Sequence, residues 1–283
     1  MDIQITNERE ALAYLTYATT AGDRAVRRQV ITMGARAFAR GIPNTPLWTP
    51  ESASVAEVLA EHEANGIRFL IEGDPEFPEG LTVHEMGEHA PLGLWVRGTL
   101  PTRLGARGLA VIGARAATSY GEHVTSELIS ALPGTRVIVS GMAHGIDGAA
   151  HRTALACGKP TVAVLACGVD RAYPAGHTDL SQRIVASGGA IVSELPPTAT
   201  PTRDRFLSRN RIIAGLTAGM LVVEAGFRSG SLNAAAWAER LGKKVMAVPG
   251  PVTSPASAGT HRLIADDRAQ LVTSAGDIEE VLW

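Results

Sequence analysis

From Leu109 onward the sequence repeats one alternation: a short apolar, β-branched run, then a stretch with helical periodicity. The apolar runs fall at 109–113, 136–140, 161–166, 190–193, 219–224 and 244–248. The amphipathic stretches lie near 120–131, 148–157, 178–187 and 231–241. Continuously apolar strands alternating with helices require a parallel sheet covered on both faces. The pattern predicts an α/β fold with a doubly wound, mostly parallel sheet. Ligands of such sheets bind at the carboxyl ends of the strands, near the switch in strand order. The residues just after each strand are therefore the candidates for function.

The first third reads differently. Residues 8–40 carry apolar residues at helical spacing, with Gly22-Asp23 separating two helices and Gly41-Ile42-Pro43 ending the second. A further helix is expected from Ser54 to Ala64, closed by Asn65-Gly66. Arg24, Arg27, Arg28, Arg36 and Arg40 read as a solvated helix face, with DNA contact as the alternative. Residues 66–108 form a Pro- and Gly-rich bridge, with short strands at 66–70 and 94–98 on the edge of the sheet. His84, Glu85, Glu88 and His89 in that bridge read as a surface cluster rather than a metal site. The expected division is a small helical domain, 1–68, and an α/β domain, 69–283.

Composition narrows the function. A chain of 283 residues, 45% hydrophobic and 19% charged, is that of a folded soluble protein with one large or two unequal domains. No apolar run approaches the ~20 residues that span a bilayer, and no apolar signal segment follows Met1. A cytoplasmic location without membrane contact is expected. Cys157 and Cys167 read as small buried thiols. The net charge of −2 excludes reliance on a broad basic face, so a polyanion site has to be local. Arg203, Arg205, Arg209 and Arg211, with Asp204 as the sole acid among them, supply one candidate; a solvated arginine run on a loop is the other reading.

The strand ends sharpen the search. The strand ending at Val222-Val223-Glu224 leads into Gly226-Phe227-Arg228-Ser229-Gly230-Ser231 and a helix from Leu232 to Leu241. A Gly/Ser turn at a helix N-terminus holds anions, most often phosphate. The first strand leads to Gly113-Ala114-Arg115, without the G-x-G-x-x-G dinucleotide fingerprint, and Arg115 projects from the ligand end of the sheet. The second leads to Ser140-Gly141-Met142-Ala143-His144-Gly145-Ile146-Asp147, where Asp147 reads as the N-cap of the next helix. His144 and His151 read as packed or capping residues rather than acid/base groups. Tyr173, before Pro174, is either a base-stacking ring or a side chain packed under the turn. Glu224 reads as a helix-capping or Arg-pairing carboxylate.

Taken in order, these motifs carry a resemblance. They run from 111–115 through Ser140–His151, Tyr173-Pro174 and Ser193-Glu194. Arg209-Asn210-Arg211, Val222–Ala225, Ser229-Gly230-Ser231 and Ala247–Gly250 complete the set. The chain resembles the DprA/Smf family, the bacterial DNA-processing protein A, over about residues 70–283. The resemblance implies an extended Rossmann domain preceded by a small helical, SAM-like domain. It implies binding of single-stranded DNA and a homodimer formed through the Rossmann domain. A role follows as a recombination mediator that protects incoming strands and helps load RecA in natural transformation. No catalysis, catalytic residue, metal or cofactor comes with the family. Carried over by position, the DNA pocket uses Gly113, Arg115, Ser140, Gly141, Asn210 and Arg211, with Arg209 as an addition.

Three departures accompany it. A basic residue that commonly follows the Tyr-Pro is Ala175 here, with His177 nearby; Arg203 and Arg205 are candidates to compensate. The Phe-Pro-Arg-Arg-Asn-Arg pattern appears as Phe206-Leu207-Ser208-Arg209-Asn210-Arg211. The sequence stops at Trp283, without room for the winged-helix tail of many relatives. A second function class is a nucleotide-binding or nucleoside-monophosphate-hydrolysing protein of the LOG type, against which Glu224 stands before its glycines rather than after them.

Overall fold

Along the strand Gly108–Ile112, Leu109 and Val111 belong to one buried cluster while Ala110 and Ile112 belong to another, so both faces are covered. The computed structural model describes residues 4–42 and 54–283. Three helices come first, α1 (Glu8–Ala18), α2 (Arg24–Met33) and α3 (Ala35–Arg40), followed by α4 (Val55–Ala64) and β1 (Ile67–Leu70). The bridge holds α5 (Val83–Met86), β2 (Leu94–Gly98) and α6 (Leu104–Arg107). Strand and helix then alternate: β3 (Gly108–Ile112), α7 (Ser119–Ala131), β4 (Val137–Ser140), α8 (Ile146–Ala156), β5 (Thr161–Val164), α9 (Thr178–Ala186) and β6 (Ala190–Ser193). The remainder is α10 (Arg203–Gly215), β7 (Gly219–Val222), α11 (Gly230–Arg240), β8 (Lys244–Ala247), α12 (Ala258–Ala265), β9 (Gln270–Leu271) and α13 (Ala275–Leu282).

Among the described residues the strands form one sheet in the order β1-β2-β6-β5-β4-β3-β7-β8-β9. The contacts β1–β2 and β2–β6 are antiparallel and the others parallel. The chain steps from β3 outward through β4 and β5 to β6, then returns to place β7 on the other side of β3. The switch point therefore lies between β3 and β7. This is the doubly wound sheet that the apolar alternation predicts. Helices α10, α11 and α12 cover one face through Ile212, Ile213, Ala234, Ala235, Ala238 and Leu263. On the other face lie α7, α8 and α13, with α9 and the N-terminal helices beside them.

The N-terminal helices are joined to the sheet by polar contacts as well as packing. Trp95 of β2 donates its indole N–H to Thr16 Oγ1 at 3.2 Å, and Arg9 makes two hydrogen bonds to Asp74 at 2.6 and 2.9 Å. The expected division after residue 68 falls inside β1. Gly34, at φ +82°, breaks the second predicted helix into α2 and α3, because that backbone conformation suits glycine alone among common residues. Cys167 is buried as expected, whereas Cys157, at the C-cap of α8, is exposed. Among the described residues no helix is long and apolar enough to cross a membrane.

Candidate functional site

The carboxyl ends of β3 and β7 meet the first turns of α10 and α11 around a cleft of about 720 Å³. Its place at the switch point follows from topology: neighbouring loops there turn to opposite faces and leave a gap. Each loop contributes polar groups. From the β3 loop come Gly113 and Arg115, from the β4 loop Ala143 and Asp147, and from the β5 loop Tyr173. Helix α10 adds Arg203, Phe206, Arg209 and Asn210; the β7 loop and α11 add Arg228, Ser229, Gly230 and Asn233. Four arginines thus face one carboxyl group, Asp147, on a chain whose net charge is −2.

The α11 end is organised for an anion. Ser229 caps the helix by accepting from Ser231 N at 3.2 Å, and Ser231 Oγ donates to Gly113 O at 2.9 Å. These bonds tie the helix N-terminus, with its partial positive charge, to the end of β3. Opposite, the Arg115 guanidinium lies 4.5 Å from the Phe206 ring centroid. Phe206 is 5.6 Å from Tyr173, which is 43% exposed. One wall therefore presents a cation and two aromatic rings together. Tyr173 stands on this wall, so the base-stacking alternative is geometrically open to it.

The arginine run 203–211 does not lie on a loop. It belongs to α10, capped by Thr202, which accepts from Arg205 N at 3.4 Å. Successive residues of a helix turn by about 100°, which sends Arg209, Asn210 and Arg211 in three directions. Arg209 points to the sheet, where Nη1 donates to Val164 O at 2.5 Å while its buried Nε has no protein partner. Burial brings its pKa down to about 10 against the opposing field of Asp147, so it remains a cation at neutral pH. Asn210 points to α11, donating to Asn233 Oδ1 at 3.1 Å and Gly230 O at 3.3 Å. Arg211, expected in the same pocket, does not line it. It is 2% exposed and paired with Glu194 on the side facing the N-terminal helices, with Gly22 against its guanidinium.

Two more expected residues sit behind the wall. Ser140 is fully buried and donates to Val111 O at 2.6 Å, which couples β4 to β3. Gly141 is covered by the Arg209 guanidinium, and a Cβ there would overlap it. Gly141 thus gives room to a neighbouring arginine. Of the α10 arginines proposed from sequence, Arg203 lines the cleft, while Arg205 is turned to Thr200 O. Sequence reasoning missed Phe206, Arg228 and Asn233 as cleft residues. Arg228 had a signal, since it directly precedes the Ser-Gly turn; Asn233 had none beyond its place in a first helical turn.

The acid/base candidates are engaged elsewhere. Asp147 is not the N-cap of α8; Gly145 holds that position at φ +73°, and Asp147 is the second helical residue. Its carboxylate accepts from Ala143 N at 3.4 Å, and burial raises its pKa despite Arg209 and the nearby backbone N–H groups. His151 is buried, with Nδ1 2.8 Å from Thr161 Oγ1, and burial pushes its pKa down to about 3. His177 donates to Met142 O at 2.9 Å, and the exposed His144 stacks edge-on against it. Glu224 is 1% exposed and caps α7, accepting from Thr118 N at 2.9 Å and Thr118 Oγ1 at 2.5 Å. Capping, not pairing with an arginine, is its role. In the bridge, Glu88 pairs with Arg24 and Arg28, and His89 packs on Trp237.

Comparison with known proteins gives the family and the fold. A Mycobacterium tuberculosis protein that carries the DprA name is 55% identical over 228 residues, which cover 76% of this chain and 57% of that one. Escherichia coli protein Smf is 42% identical over 217 residues, 75% of this chain and 56% of its own. The chain thus spans a little over half the length of these curated relatives. The X-ray structure of DNA processing protein A from Streptococcus pneumoniae superposes with a TM-score of 0.76 at 30% identity, covering 99% of this chain and 98% of that one. A Helicobacter pylori DNA processing protein A structure, concerned with its single-stranded DNA binding mode, gives a TM-score of 0.64 at 27% identity, covering 76% and 95%. With residues 68–282 matched by the model of the DNA recombination-mediator protein A family, the chain belongs to that family, DprA/Smf.

Proposed function

We propose that the cleft binds single-stranded DNA through Arg115, Arg203, Arg209, Arg228 and Asn210, and that the chain serves recombination as a mediator. The observation that carries this reading is the wall formed by Arg115, Phe206 and Tyr173. It offers phosphate a guanidinium and offers bases two rings within one cleft. Duplex bases are already paired and stacked; a single strand has its faces free for aromatic side chains. Gly113 acts by bordering the cleft, Gly141 by giving room to the Arg209 guanidinium, Ser140 by holding β4 to β3, and Arg211 by holding α10. Family membership supports the finer role: protecting incoming strands, handing them to RecA during natural transformation, and acting as a homodimer through the α/β domain in the cytoplasm. The helical segment before residue 69 is a separate domain in this reading. The Helicobacter pylori structure, which concerns a single-stranded DNA binding mode, supports the choice of a single strand as ligand.

Fluorescence anisotropy with labelled oligo-dT and an equal-length duplex, across a salt series, tests this. The single strand is expected to bind in clear preference and to weaken steeply with salt, by about 0.7 in log–log slope for each phosphate contacted. Arg115→Ala is expected to weaken binding roughly tenfold or more, taking about 1.5–3 kcal/mol for a hydrogen bond to a charged group, and to flatten the slope. Equal affinity for the duplex, or an unchanged Arg115→Ala protein, would sink the reading.

A further inference from the structure

Helix α11 carries a stripe of its own out of the cleft. Gly230 and Asn233 line the cleft, and Trp237 and Arg240 follow four and seven residues after Asn233, on the same side of the helix. At 1.5 Å per residue, Trp237 lies about 10 Å and Arg240 about 15 Å along the axis from Gly230. At that far end the half-buried Trp237 ring is met by Arg240, whose Cζ is 4.9 Å from its centroid, and by the edge of His89, also at 4.9 Å. The N-terminal helices reach the same place. Arg24 and Arg28 of α2 both pair with Glu88, the residue before His89, at 3.1 and 2.6 Å.

The balance of charge there is positive. Arg24 and Arg28 share the single carboxylate of Glu88, Arg240 lies over Trp237, and Glu239, beside Arg240 in sequence, is taken by Arg268 at 2.7 Å. His89 registers the field: burial first, then Arg24, Arg240 and Arg211, hold it below the ordinary histidine value, and Glu88 opposes them. Packing alone would be served by one long side chain laid over Trp237. Cations arriving from two parts of the chain around an aromatic pair match the basic and aromatic surfaces that carry single strands.

We propose that the junction of α2, the His89 turn and α11 is a second contact station for single-stranded DNA. A base rests against the Trp237–His89–Arg240 cluster, and Arg240 and Arg24 take phosphates as the strand leaves the cleft along α11. The inference rests on the cleft reading above and extends it, giving the N-terminal helices a part in binding.

The test compares an oligo-dT of about 4 nucleotides, which only the cleft engages, with one of about 16, which reaches the station. Arg24→Glu/Arg240→Glu is expected to bind the short strand as wild type does. It should bind the long one about tenfold or more weakly, with a salt slope lower by about 1.4 for two lost contacts. The long strand should also quench tryptophan emission, and Trp237→Phe should remove that change. If the double charge reversal lowers the melting temperature, Arg24→Gln/Arg240→Gln carries the same comparison. Long-strand affinity and slope equal to wild type in either pair, or a wild type that gains nothing from length, overturns the station alone. A wild type that binds neither strand overturns the cleft reading with it.

Discussion

Arg209 and Arg211 are two residues apart on α10, both nearly buried, and answer to different parts of the molecule. Arg209 borders the cleft with a guanidinium that a backbone carbonyl holds by Nη1 and that, among the described residues, no carboxylate pairs. Arg211 turns to the other side, where Glu194 takes both of its terminal nitrogens. The first is a cation left open to a ligand; the second is neutralised in the protein's own interior. A buried charge without a partner is costly, and a binding site is where such a cost is offset by what arrives. One helix thus carries binding on one side and cohesion with the N-terminal helices on the other.

Breaking the cohesive side gives the largest effect. Glu194→Ala leaves Arg211 buried and unpaired, with an expected loss of about 3–5 kcal/mol in stability, read by denaturant unfolding. Adding Arg211→Met should recover much of that loss. Single-strand affinity in the double variant, measured where it stays folded, should remain near wild type; a loss as large as that of Arg115→Ala would restore Arg211 to the cleft and dissolve the comparison.

On the open side, Gly141→Ala places a Cβ where the Arg209 guanidinium lies. Overpacking of this kind costs about 1–3 kcal/mol, and displacement of Arg209 should weaken single-strand binding as well. A variant that loses stability but binds normally would show that Arg209 does not act on the ligand.

The smallest effect is graded with pH. His151, under the cleft, titrates near pH 3 when folded, against about 6.5 when unfolded. Below about 6.5 the unfolded chain takes up a proton that the folded chain refuses until about pH 3. Stability should therefore fall as pH drops through that window, by up to about 1.4 kcal/mol per unit from this group. His151→Gln should flatten that part of the profile, while the Glu194→Ala loss persists at neutral pH. Equal acid sensitivity in wild type and His151→Gln would remove His151 as the cause.

Much of the fold is legible in the chain. The apolar runs from Leu109 onward specify strands buried on both faces, and the glycine turns after them mark the ligand end of the sheet. Gly113, Arg115, Arg209 and Asn210 are found from those turns and the ordered motifs, and all four line the cleft. Ser140, Gly141 and Arg211 carry the same motif signal but stand behind the wall or across the helix. A motif records which residues belong together, not which atom of each faces the ligand.

Hydrophobic periodicity and glycine placement act over a few neighbouring residues, and so most strands, several helices and the family are readable in the chain, whereas α10 and α12 are not among the helices the periodicity predicts. That Phe206 meets Arg115 and Tyr173, that Arg211 finds Glu194, and that α2 brings Arg24 to the end of α11 is settled by packing between distant parts of the chain. Those contacts depend on the order of strands in the sheet and the rotation of α10 about its axis. Both are set by how whole faces pack, and no local spacing in the chain encodes them.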